Sequence, residues 1–160
     1  MKKLFIFLGM ILSAQLAFGE TPNFSALENA ELGYINQYAE KLVASMQQKS
    51  SPDFGYDQQS VLLLSDLITK ESSTYSDQTK QILPGIYGSY LGIAILKKYG
   101  GKWVNVKGVG YGVMIDENTI KFPFDEVLEH IEKGNAESIY AFYMSADKPK
   151  NAQQLTAQPK

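Results

Sequence analysis

His130 is the only histidine in this 160-residue chain, and Glu126 stands four residues before it. On a helix that spacing puts both side chains on one face, where they could offer two ligands to a metal ion. A zinc site takes three or four, and no second histidine and no cysteine exists to complete one. The expectation is therefore no metal, and a surface imidazole beside a carboxylate. His130 would also have to be the base of any Ser-His-Asp triad, yet the chain has no Gly-x-Ser-x-Gly elbow to present the nucleophile. Two adjacent acid pairs, Asp116-Glu117 and Asp125-Glu126, offer carboxylates for acid–base work. The first reads as hairpin-turn chemistry and the second as a helix N-terminus that favours negative charge. Gly108-Val109-Gly110-Tyr111-Gly112 looks superficially like a phosphate loop. Such a loop needs a strand before it and a helix after it, and this one falls between two strand patterns. No catalytic residue is assigned on these grounds, and no cofactor is expected.

Tyrosine is the more suggestive signal. The chain has ten, and they cannot all be fully buried in a domain this small. Tyrosine combines an apolar ring with a polar tip and is enriched at interfaces. Tyr87, Tyr90, Trp103 and Tyr111 are the candidate binding residues. The alternative is that the tyrosines merely edge the core with their hydroxyls in water.

Composition narrows the partners. Every basic residue is lysine, and the formal net charge is −2. A mildly acidic chain without arginine argues against nucleic acid and anionic lipid, which attract clustered Lys and Arg. It also lacks the bidentate guanidinium that clamps phosphate and carboxylate ligands. With no cysteine there are no disulfides, so stability must come from packing.

The first 19 residues have the layout of a cleaved secretory signal peptide. Lys2 and Lys3 form a basic start, Leu4 to Ala14 is an uncharged apolar run, and Ala17 and Gly19 supply small residues for cleavage before Glu20. The apolar run is about half the ~20 residues needed to span a bilayer, so no transmembrane anchor is expected after cleavage. The expected location is the periplasm. Residues 20–146 then read as a single globular domain, and 147–160 as a disordered tail of Lys, Pro, Gln, Asn and Ala.

The elements that must position any site follow from pattern and punctuation. Residues 20–24 read as a lead-in, and Ser25 and Glu28 as a capping box. A helix over about 26–48 then carries Leu27, Ile35, Tyr38, Leu42, Val43 and Met46 on one face. Asp57 caps a second helix with Val61, Leu64, Leu67 and Ile68 as its stripe, and Ser76 or Asp77 opens a third. Ile82 to Leu96 is apolar nearly all round and should be the most buried helix. Gly85, Gly88, Ser89 and Gly92 make a smooth strip on it for close backbone approach, and Pro84 suggests that its regular part begins near Leu83. Gly100-Gly101 stops it.

Trp103–Lys107, Tyr111–Ile115 and Thr119–Phe122 form a three-stranded antiparallel meander. Lys121 between Ile120 and Phe122 implies one wet face. A fourth helix starts at Phe122-Pro123-Phe124-Asp125, with Val127, Leu128 and Ile131 inward, and ends at Gly134. Ser138 to Met144 could be helix or strand, with Ile139, Phe142 and Tyr143 favouring a short helix. The fold class is α+β, with about four helices packed on the meander.

Tyr90-Leu91-Gly92, Gly100-Gly101-Lys102-Trp103-Val104 and Phe122-Pro123-Phe124-Asp125-Glu126-Val127 together resemble a bacterial domain-of-unknown-function family over about residues 55–145. Gly134-Asn135 and Ser138 continue the pattern, while Pro84-Gly85 departs from it. The resemblance implies helices packed on a small antiparallel sheet and assigns no activity and no site residues. The functional expectation is a non-enzymatic periplasmic protein that binds another protein of the envelope, such as an immunity protein neutralising a secreted toxin. The alternative is an envelope enzyme or a small-ligand binder. A deep pocket gathering Trp103, tyrosines and a carboxylate would favour the alternative; a flat or grooved aromatic patch would favour partner binding.

Overall fold

The structure, a computed structural model, describes residues 23–134 and 138–146. The leader and the tail read from the sequence lie outside the described residues. The elements run β1 (Phe24–Ala26), α1 (Asn29–Lys49), α2 (Gln58–Glu71), a 3₁₀ turn (Ser72–Thr74), α3 (Asp77–Tyr99), β2 (Lys102–Val106), β3 (Gly110–Asp116), β4 (Thr119–Lys121), α4 (Pro123–Lys133) and α5 (Ile139–Met144). The class is α+β, with five helices and a four-stranded antiparallel sheet in the order β1-β2-β3-β4.

The added strand is β1. Ser25 pairs with Asn105 on β2 instead of capping α1. The cap falls at Glu28, whose backbone N–H donates to the Glu31 carboxylate at 2.8 Å. Other helix starts obey their local chemistry: Asp57 accepts from the Ser60 N–H at 2.8 Å and Ser76 from the Thr79 N–H at 3.1 Å. Gly100 and Gly134, both at positive φ, end α3 and α4.

α3 is the central element, with α1 on one side and α4 on another. It begins at Asp77 and runs through Pro84. That proline deprives the Lys80 carbonyl of one helical partner, yet the helix is unbroken from Asp77 to Tyr99. Of the buried stripe expected on α1, Ile35, Leu42 and Met46 are buried, Ala39 joins them, and Tyr38 faces out. On α4, Val127 and Ile131 are buried, but Leu128 is exposed and His130 takes its place in the interior.

Segments of α3, β2 and the start of α4 meet in space. A Cβ on Gly92 would overlap the Trp103 indole and lie 3.2 Å from Pro123 Cγ, and one on Gly88 would lie 2.8 Å from the Phe124 Cα. The glycine strip therefore seats the first turn of α4 and the tryptophan of β2 directly on the α3 backbone. Trp103 and Phe124 also pack ring to ring, with centroids 5.6 Å apart.

Both faces of the sheet carry buried residues. Trp103, Val113 and Ile115 join the main core, while Val104 and Met114 are buried on the opposite side. Lys121 is not on a wet face. It stands opposite core residue Val113 and is half-buried. Its ammonium lies 4.9 Å from the Phe142 ring centroid and donates to Ser145 Oγ at 2.9 Å.

Candidate functional site

The residues with the clearest chemical potential prove to be structural. His130 is completely buried. The Ile139 N–H on α5 donates to its Nδ1 at 3.3 Å, which makes Nδ1 the acceptor and leaves the proton on Nε2. Nε2 then donates to Thr69 Oγ1 at 2.9 Å, and Thr69 Oγ1 in turn donates to the Ser65 carbonyl at 3.0 Å. One neutral imidazole thus ties α2, α4 and α5 together. Burial holds it below its ordinary protonation range. The expected surface histidine beside Glu126 is corrected: two neutral partners take both ring nitrogens.

The acid pairs sit as their local chemistry dictates. Asp116 Oδ1 accepts from the Asn118 N–H at 3.0 Å in the β3–β4 turn, and Asp125 and Glu126 occupy the first turn of α4. Burial, with Glu129 nearby, raises the Asp125 carboxyl. Gly108 and Gly110 adopt positive φ in the β2–β3 hairpin, with a strand and not a helix after them. Among the described residues no three His, Cys, Asp or Glu side chains gather as a metal site would require.

The four aromatic candidates are not brought together at the surface. Tyr90 is completely buried, stacked between Phe54 and Tyr56 at 5.2 and 5.3 Å, with its hydroxyl donating to the Gly55 carbonyl at 2.8 Å. Burial raises its phenol. Tyr87 and Trp103 are also core residues, at 9% and 6% exposure. Tyr111 alone is exposed, at 36%.

Tyr111 belongs to a groove of about 200 Å³ between α1, α3 and β3. Its walls are Tyr34 and Tyr38 from α1, 63% and 43% exposed, and Tyr111 itself. Its floor is small or apolar: Gly85 and Ser89 on α3, with Ile35 and Phe124 behind. Ser89 Oγ turns back to the Gly85 carbonyl at 2.6 Å, so the floor shows little polarity. A Cβ on Gly85 would meet nothing within 4 Å, which leaves the floor open. Glu31 closes one end and accepts a short hydrogen bond from the Tyr111 hydroxyl. That bond, with the Glu28 N–H, lowers the Glu31 carboxyl below its usual range; Glu31 in turn raises the Tyr111 phenol. The sequence reading missed Glu31, Tyr34 and Tyr38 as site residues. The signal was present: spacings of three and four place all three along one strip of α1.

A second cleft, about 510 Å³, lies among Tyr56, Asp57, Gln58, Lys97, Lys98 and Tyr143. Its side chains are engaged with the protein itself. Lys97 lies 5.0 Å from the Tyr56 ring centroid, Lys98 lies 4.6 Å from that of Tyr143, and Gln58 donates to the Tyr140 hydroxyl at 2.7 Å.

No helix among the described residues is long and apolar enough to cross a membrane. No family model, curated protein or solved structure matches the chain.

Proposed function

We propose that this chain is an exported, non-enzymatic protein that binds another protein of the envelope through the α1–α3–β3 groove. The observation that carries the reading is the cluster of three exposed tyrosines, Tyr34, Tyr38 and Tyr111, around an apolar floor that contains no chemistry. Exposed aromatic rings over a desolvatable apolar base are the usual anchors of protein interfaces. Trp103 supports the same choice. It packs against Gly92 and Phe124 and is not among the residues that line the tyrosine groove. Neutralisation of a secreted toxin is the particular form of this reading that the sequence suggests.

An alanine series tests it. Folded Tyr34→Ala and Tyr38→Ala variants should lose protection or partner binding, since truncating an aromatic anchor often costs about 2 kcal/mol or more. Ala variants at Asp116, Glu117, Asp125 and Glu126 should retain it. Loss confined to one folded carboxylate variant, with both tyrosine variants active, would reverse the assignment in favour of an enzyme.

A further inference from the structure

We infer that the groove receives a basic side chain, lysine or arginine, from the partner, with its aliphatic stem along the tyrosine rings and its charged end at Glu31. The inference rests on the groove being the docking site. Two observations give the occupant its charge. First, the groove lies in a negative field: Glu28 and Glu31 both act on the Tyr111 hydroxyl, and no lysine is among its lining residues. Glu31 spends one oxygen on Tyr111 and the other on the Glu28 N–H. Each carboxylate oxygen has a second lone pair, so both retain acceptor capacity. Second, the protein's own lysines settle on rings elsewhere, at Tyr56, Tyr99, Tyr143 and Phe142. Among the described residues none sits over Tyr34, Tyr38 or Tyr111. These three rings keep their negative faces for a cation from outside, and a ring face beside a carboxylate suits a long cationic side chain better than a neutral one.

The test uses the whole exported domain and three small probes: the N-acetyl methylamides of lysine, arginine and norleucine, the last matching the lysine stem without its charge. Amide chemical shifts are followed during titration. The expected result is movement at Glu31, Tyr38, Gly85 and Tyr111 with the lysine and arginine probes. Norleucine should bind about threefold or more weakly, the scale of an exposed cation–π contact. Glu31→Gln, with an otherwise unchanged spectrum, should bring the lysine probe to the norleucine level. Equal binding of norleucine, or undiminished lysine binding by Glu31→Gln, would overturn the charge requirement while leaving the groove as the docking site. Movement of these amides with none of the probes would overturn the inference outright. Partner cross-linking through position 38 would then show whether the docking reading falls with it.

Discussion

The Trp103 indole occupies the space that a side chain on Gly92 would need, so β2 and α3 touch through a ring laid on bare backbone. Neither partner can be changed alone. This contact, with Phe124 on Gly88, sets where the sheet and α4 sit relative to α3, and hence where the floor of the groove lies.

Two glycines on the same helix should therefore respond with opposite signs. Gly92→Ala forces the indole or the backbone to move and should destabilise by about 1–3 kcal/mol, the usual range for overpacking. Gly85→Ala meets nothing within 4 Å and should stabilise by up to about 1 kcal/mol through helix propensity. Urea denaturation of the two variants checks this. Equal shifts of the same sign would show that the strip does not seat the tryptophan.

His130 makes the fold acid-sensitive in a defined window. Its folded pKa is lowered by burial, so below about pH 6.5 the unfolded chain takes up a proton that the folded chain refuses. Its stabilising contribution is complete above that pH and falls as pH drops toward the folded value. Protonation would place a second N–H against the donating Ile139 N–H. Asp66, Lys70 and Glu71 on α2, Asp125, Glu126, Glu129, Glu132 and Lys133 on α4, and Tyr140 and Tyr143 on α5 are the titratable groups on the surrounding elements, while the ring nitrogens bond to two neutral groups, the Thr69 hydroxyl and the Ile139 N–H. Melting temperature should decline as pH falls below about 6.5. His130→Leu should start lower at neutral pH and lack that decline. A wild-type profile flat through the window would contradict the buried neutral imidazole.

Tyr90 should behave as a core residue. Tyr90→Phe keeps both stacked neighbours and loses one hydrogen bond to the Gly55 carbonyl, a loss of about 1 kcal/mol. Tyr90→Ala opens a cavity and should cost about 3–5 kcal/mol. Partner binding by the folded Tyr90→Phe protein should be intact, and a selective loss of binding there would return Tyr90 to the functional surface.

What could be read from the sequence was what depends on neighbours a few residues away. Asp57, Ser76, Gly100 and Gly134 mark helix ends through bonds or φ values made locally, and the meander follows from its turns. β1 was illegible because a three-residue strand finds its partner across some eighty residues of chain, at Val104–Val106. His130 was placed on the surface because imidazole is usually wet. Its burial depends on Thr69 and Ile139, brought to it by other helices. Tyr111 was singled out and Tyr34 and Tyr38 were not, since Tyr38 fits the apolar stripe of α1 by spacing. Only the seat of α3 on α1 turns it outward.

The binding claim is tested most directly by a photo-reactive residue at position 38, in the groove, and at position 128, an exposed site on α4 outside it. Both versions of the protein would be irradiated in intact cells that produce it. The account predicts one discrete cross-linked product from position 38, absent from position 128 and lost when Glu31→Gln and Tyr34→Ala are combined with it. A product from position 128 alone, or none from position 38, would contradict it.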